Sequence, residues 1–413
     1  MNKMKCIVSC PISTYSGYGS RSRDFVKALL DIRQEEWDIK ILPQRWGNTR
    51  QGYLEDHKLN DLLSICIEDV TERPEIWIQI TTANEFKPVG SILNVGVTAG
   101  IETDVYPHTW ITGANQMDLV ITSSTFSTEN FKKTTYKSSE GYLTLKTPIE
   151  SLFEGIVPIE PEYTLSIIDD IPESFLFLTV GAFLTGNKGA DRKNIVNTVD
   201  LFIKSFNNTK KPLPGLVLKT QRANASIVDR EYILSILKEI ANQYKGNIPN
   251  IYLLHGELSE EDMWSLYYHP KVKAMVLLTR GEGFGRPLLE FSFTGKPIIT
   301  TNWSGHLDFI DKKGSTLIPG KVGRVHPSAV VPDIIIPEAS WFYPDPIAVK
   351  KAFKKIHKEY VKYKKQAIKQ RYHSTQNFTF ENMVELLDII LEKYLKSKPT
   401  KVDIKLPPLP PKQ

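Results

Sequence analysis

The sequence predicts an α/β protein built from two doubly wound, Rossmann-like domains in tandem, and three observations predict it. Short apolar runs alternate with amphipathic segments up to about residue 320, the rhythm of strand–helix units on parallel sheets. The chain has 413 residues, enough for two or three domains at roughly 150 residues each. The alternation lapses over Glu150–Pro172, a stretch rich in prolines and acids without periodicity, and then restarts, which marks a linker.

Taken in order, the first half offers strands at Lys5–Ser9, Asp38–Leu42, Ile76–Ile80, Ser91–Val97 and Leu119–Thr122, with a helix at Ser20–Asp31 carrying Phe25 and Leu29 at helical spacing. The second half offers strands at Phe175–Val180, Gly215–Lys219, Asn250–Leu254, Ala274–Leu278 and Pro297–Thr301. Helices fall near Ile195–Ser205, Asp229–Tyr244, Ser259–Tyr268 and Pro287–Phe293. The expected domains are residues 1–160 and 173–345, followed by helices over 346–395 packing across both and a flexible Pro/Lys-rich tail, 396–413. The first of those helices, Pro346–Arg371, contains one acid, Glu359, and its Val349, Phe353, Ile356, Tyr360 and Val361 read as a stripe laid on the body beneath a solvated lysine face. Two doubly wound domains in tandem place a ligand cleft between the carboxyl ends of both sheets.

Composition excludes several classes. Hydrophobic residues make up 41% and charged residues 24%, a globular balance rather than a disordered or fibrous one. No apolar run approaches the roughly 18 residues that span a bilayer. The segment Met1–Ser9 is too short and polar for a secretory signal and reads as a first buried strand. Three cysteines, Cys6, Cys10 and Cys66, make neither a disulfide framework nor a Cys-x-x-Cys pair, which points to the cytoplasm. Residues 1–170 hold 16 basic and 24 acidic side chains and the remainder 36 and 23. One half is suited to anions and the other to something else.

Chemistry concentrates in Thr279-Arg280-Gly281-Glu282-Gly283-Phe284-Gly285-Arg286-Pro287-Leu288-Leu289-Glu290. This stretch follows an apolar strand and opens a helix at Pro287, a favoured first-turn residue. Its glycines allow close backbone approach, and a helix start offers free N–H groups to a phosphate. Glu282 and Glu290 would repel phosphate, so they should accept hydrogen bonds from neutral hydroxyls, in which sugar and ribose are rich.

Two carboxylates with seven residues between them, around Gly-Phe-Gly-x-Pro, resemble the signature of retaining GT-B glycosyltransferases of the family-four type. Val180-Gly181-Ala182-Phe183 with Arg192-Lys193-Asn194 resembles that family's second-domain opening strand and basic loop, and Asn302–Phe309 its next glycine loop. Ser16-Gly17-Tyr18-Gly19-Ser20-Arg21 resembles the first-domain glycine loop, while Thr98–Asp104 and Asp118–Ser124 are similar to segments facing the acceptor. The resemblance implies a GT-B fold, a nucleotide-diphosphate sugar as donor and no metal or other cofactor. It implies that Glu282 binds the donor sugar's hydroxyls beside the backbone of Gly283, Phe284 and Gly285, and that Glu290 binds the ribose. Lys193 and Arg192 would neutralise the departing diphosphate, as fixed cations stabilise the charge that develops there. Gly17 and Gly19 would line the opposite wall. Where many relatives carry arginine after the strand-end glycine this chain has Ala182, which puts weight on Arg192, Lys193 and Lys219, the last reading equally well as a strand-end solvent lysine. A first-domain histidine is also missing from its usual place. Glu102, Asp104 and His108 are the acceptor-side candidates, and the sequence does not choose among them.

No Asp-x-Asp, His-Glu-x-x-His, Gly-x-Ser-x-Gly or P-loop ending occurs. The expected reaction is same-face transfer of a sugar to an acceptor hydroxyl with retention. The spelling around His269-Pro270-Lys271 and Thr279–Phe309 is similar to phage and large-virus glycosyltransferases, which implies a hydroxymethylated pyrimidine in DNA as acceptor, with Pro346–Arg371, Lys132, Lys133 and Lys137 as a phosphate track. The alternatives are a cell-envelope glycan, a lipid-linked sugar or a protein as acceptor, and a non-catalytic sugar-nucleotide- or DNA-binding protein.

Overall fold

The computed structural model describes residues 3–396 except 140, 211, 223 and 224. The expected Pro/Lys-rich tail therefore lies, apart from Lys396, outside the described residues. Two six-stranded sheets form the frame. The first contains β1 (Met4–Cys10), β2 (Trp37–Pro43), β3 (Ile76–Ile80), β4 (Leu93–Thr98), β5 (Leu119–Thr122) and β6 (Ile149–Ser151), in the order β2-β1-β3-β4-β5-β6. The second contains β7 (Leu176–Val180), β8 (Gly215–Lys219), β9 (Ile251–Leu254), β10 (Val272–Leu277), β11 (Ile298–Thr301) and β12 (Thr316–Ile318), in the order β9-β8-β7-β10-β11-β12. Every pairing in both sheets is parallel. The central strands are apolar on both faces because helices cover both sides: Val8 lies opposite Ile41 and Ile78 and is fully buried.

The first sheet carries α1 (Gly17–Arg33), α2 (His108–Ala114) and α3 (Thr125–Lys133), the second α4 (Ile195–Phe206), α5 (Ile227–Ala241), α6 (Glu260–Tyr268) and α7 (Arg286–Ser292). The chain closes with α8 (Pro346–Lys358), α9 (Tyr360–Asn377) and α10 (Phe380–Leu395). Helix α10 returns to the first sheet, where Met383, Leu387, Ile390 and Leu391 join Phe25 and Leu29 of α1 in one core. Arg33 on α1 pairs with Asp388 and Glu392, fastening it there.

Strand order reverses between β1 and β3 in the first sheet and between β7 and β10 in the second, so each sheet has a crevice at its carboxyl end where a ligand can enter.

Four sequence expectations are corrected. The single helix over Pro346–Arg371 is two helices, broken at Glu359, whose φ −116°, ψ 33° leave the helical region. Val361, expected in the stripe, is outside it: five residues after Ile356 it lies about 140° round the helix axis and is 68% exposed, whereas Val349, Phe353 and Ile356 are buried against the second core. Glu150 and Ser151, read as the start of the linker, belong with Ile149 to the edge strand β6, too short for its pattern to show. The antiparallel pair Gly320–Arg324 with Ser340–Pro344 and the hairpin Tyr136–Ser138 with Gly141–Leu143 were not anticipated, because their strands are short and mostly polar.

Candidate active site

The loops after β1, β2, β7, β8 and β9 face one another across a cleft of about 740 Å³ between the two sheets. Of the residues named from sequence, Gly17, Arg192, Lys219 and Glu290 line it directly. Lys193 and Glu282 stand beside Arg192 in the adjoining loops.

Glu282 is buried, with its backbone N–H donating to Ser304 Oγ at 2.9 Å and its Oε2 accepting from Lys193 Nζ at 2.6 Å. Its other oxygen, Oε1, is buried without a partner. Burial pushes the Glu282 carboxyl up, but the Lys193 and Arg192 cations outweigh it and hold the group below the usual carboxylate range. Burial also pulls Lys193 and Arg192 below their ordinary values, against the attraction of Glu282. Arg192 is ion-paired with Glu102 of the first domain. This loop is set by Asp191, which accepts from the N–H groups of Asn194 (3.0 Å) and Val196 (3.0 Å) at the start of α4. Burial raises Asp191 to about 6 in spite of those bonds.

Lys219 ends β8 with its ammonium on the Gly256 carbonyl at 2.6 Å. It is buried, and burial lowers its pKa. A solvent-facing strand-end lysine is therefore ruled out.

Glu290 sits one turn into α7. It accepts from Arg286 Nε at 2.8 Å and from the Tyr267 hydroxyl at 2.9 Å. Burial raises its pKa, with Arg286 opposing. Arg286 also donates to Asp24 of α1 and lies 3.9 Å from Glu154. Burial works against its charge, yet Asp24, Glu290 and Glu154 hold it well above its ordinary value. One guanidinium thus ties Glu290 of the second domain to Asp24 and Glu154 of the first. Sequence reading passed over Arg286, although its i,i+4 spacing from Glu290 signals a helical ion pair. The partners Asp24, Glu154 and Tyr267, distant in sequence, gave no such signal.

The loop Gly283–Gly285 packs where the domains meet. A Cβ at Gly281 would strike the carbonyl of Glu102, and one at Gly283 the carbonyl of Ala99. Among the described residues, the N–H groups of Gly283, Phe284 and Gly285 donate to no protein acceptor. The Phe284 ring is core, tilted on Phe309 at 5.1 Å, so only its backbone is available to a ligand. Buried His306 spans Thr301 O (2.7 Å) and Ser304 Oγ (3.4 Å), and burial lowers its pKa. Ser304 itself has a positive φ of 85°, and its Oγ accepts from Glu282 N–H.

Three expected positions fall elsewhere. Gly19 does not line the cleft: it lies against the Thr14 carbonyl inside the first turn of α1, which a side chain would displace, whereas at Gly17 the space is open. Asp104 accepts from Ser340 N–H at 2.6 Å and is spent on joining the loop after β4 to the 320–344 arm. His108 is exposed at the start of α2, beside Tyr136. Of the acceptor-side candidates only Glu102 reaches the site. The first-domain wall also includes Tyr15, Trp46 and Tyr53, with Tyr18 stacked on Trp46 at 4.0 Å and the Arg23 guanidinium 3.4 Å over Tyr53. Among the described residues no cluster of three or more His, Cys, Asp or Glu side chains is disposed to hold a metal ion.

Two parallel-sheet domains facing a cleft define the GT-B fold. Solved structures share it along nearly the whole chain: a glycosyltransferase from Rickettsia africae (TM-score 0.63, 13% identity, 96% of this chain and 100% of that one), HepE from Anabaena in complex with UDP-glucose (0.62, 13%, 94% and 100%), and a trehalose 6-phosphate synthase from Burkholderia multivorans (0.61, 9%, 96% and 100%). The sequence matches no protein-family model and no curated protein.

Proposed function

We propose that the protein is a retaining glycosyltransferase that moves a sugar from a nucleoside-diphosphate sugar to an acceptor hydroxyl without a metal ion. The observation that carries the reading is the Glu282–Lys193 pair: a carboxylate charged in a buried setting, with one oxygen unpartnered, set among the cations of a cleft. A buried acceptor atom without a donor is rare in a finished protein. A sugar hydroxyl supplies that donor. Arg192, Lys193 and Lys219 then face the diphosphate, where fixed cations stabilise charge as the bond to the sugar breaks. Glu290, oriented by Arg286 and Tyr267, takes the ribose hydroxyls. The UDP-glucose complex of HepE, alike in fold, supports a donor of this class.

Retention by same-face attack is favoured by the engagement of both first-domain carboxylates. Glu102 is paired with Arg192 and Asp104 with Ser340, which leaves neither free as a nucleophile. Catalysis in this reading rests on positioning and electrostatics rather than on a covalent intermediate. The finer expectation, a hydroxymethylated pyrimidine in phage-type DNA as acceptor, and its rivals, a glycan, a lipid-linked sugar or a protein, make different demands on the basic helices: a DNA acceptor needs a row of cations facing its phosphates.

The test is thermal stabilisation by UDP, GDP, ADP, CDP and dTDP and their sugars, beside Glu290→Ala. A nucleotide at 100 times its Kd stabilises by about 2.7 kcal/mol. One nucleotide should raise the melting temperature of the native chain and not of the variant. Equal shifts in both, or none in either, would overturn the donor site and leave the non-catalytic reading.

A further inference from the structure

Helix α9 presents an unusual outer face. Its inner side is fixed to the second domain: Ala367, Gln370 and Ser374 are buried, Ser374 Oγ meets Ser292 Oγ of α7 at 2.7 Å, and Gln370 Nε2 donates to Phe309 O at 2.8 Å. The helix therefore cannot roll to hide what lies opposite. On that opposite side Val361, Ile368 and Tyr372 are 68%, 58% and 68% exposed. Spaced by seven and four residues, they fall within roughly 40° of arc on a helix of 3.6 residues per turn. Lys365 shares the line, and Lys362, Lys364, Lys369 and Arg371 flank it on both sides, all exposed. From Pro346 to Arg371 the only acid is Glu359, which is paired with Lys362.

A track for nucleic-acid phosphates places cations on the outermost line, where phosphates are met first. Here the outermost line is mainly aliphatic and aromatic, and most of the cations stand to its sides. That is the arrangement of a helix lying in a bilayer interface, apolar side chains directed at the acyl boundary and lysine ammonium groups reaching up to anionic headgroups. We propose that the outer face of α9 docks on an anionic lipid surface. This interaction is separate from the cleft and does not depend on what the cleft binds. If the cleft transfers sugar, the surface brings it to acceptors at a membrane rather than to DNA.

The experiment is co-sedimentation of the full chain, without any nucleotide, with vesicles of phosphatidylcholine alone and with phosphatidylglycerol added, at about 0.15 M salt. Binding should require the anionic lipid. Replacing Val361, Ile368 and Tyr372 together by serine, at unchanged charge, should lower partitioning by at least about tenfold. Replacing Lys362, Lys364, Lys365 and Lys369 by glutamine should lower it by about fivefold per lysine. These positions are exposed, so melting temperatures should match the native chain, and Tyr372→Ser alone serves if the triple variant melts lower. Absence of binding to anionic vesicles overturns the proposal, as does binding that the serine variants leave unchanged. Tight binding of a short DNA duplex that the glutamine variant abolishes and the serine variant keeps assigns the face to nucleic acid instead.

Discussion

The proposed reading gives the Glu282–Lys193 pair a chemical role besides its structural one, and Glu282→Gln separates the two. The carboxylate is 5% exposed and holds the Lys193 ammonium at 2.6 Å. Glutamine keeps its shape but leaves that ammonium buried against a neutral amide. Removing one half of a buried pair costs about 3–5 kcal/mol, so guanidinium unfolding of the variant should begin at lower denaturant. Adding Lys193→Met removes the stranded charge and should return most of the stability, an interaction a double-mutant cycle measures. Donor binding should behave differently. A hydrogen bond to a charged carboxylate is worth about 1.5–3 kcal/mol, equivalent to about 10- to 150-fold in Kd for the nucleotide sugar. By calorimetry the single variant should lose that factor for the sugar nucleotide and not for the bare nucleoside diphosphate, whereas the double variant, which also removes a cation facing the diphosphate, should weaken both ligands. Unchanged affinity of Glu282→Gln for the sugar nucleotide refutes the assignment of the sugar to Glu282. Equal losses for both ligands in that single variant would show that the pair acts on the diphosphate instead.

Other outcomes follow from the same geometry. Arg286→Met leaves Asp24, Glu154 and Glu290 without their shared cation; it should destabilise by about 3–5 kcal/mol in denaturant melts, and Arg286→Lys, a point charge without the fork, should recover only part. Gly283→Ala puts a methyl group against the Ala99 carbonyl of the facing domain, so small-angle scattering should show a larger radius of gyration than the native chain, and an unchanged radius would count against a tight domain contact there. Asp191 titrates at about 6 in the folded chain and about 3.9 unfolded, so the folded state holds the extra proton between those values. Its contribution is full below pH ~4 and lost as pH rises through about 6, amounting to about 3 kcal/mol. Unfolding free energies of the native chain measured relative to Asp191→Asn from pH 4 to 7 should fall by that order, and a flat difference would show that the bonds to Asn194 and Val196 offset burial.

The sequence alone determined the two-sheet class, because fully buried parallel strands must read as apolar runs and the helices between them as amphipathic segments. It also made the candidate loop legible, since Glu282, Gly283, Gly285 and Glu290 lie within nine residues and their spacing is local. The tertiary structure alone decided which distant groups complete the site. Arg286 reaches Asp24 and Glu154 across the cleft, Glu102 meets Arg192, and Asp104 is diverted to Ser340, all through contacts between residues tens to hundreds of positions apart. The break at Glu359 shows the same limit. The periodicity of Val349, Phe353 and Ile356 continues formally into Tyr360, but packing on two different neighbours bends the chain at Glu359, and Val361 faces solvent. Local spacing sets which face of one helix is apolar, and only the assembled neighbours decide whether that face is covered.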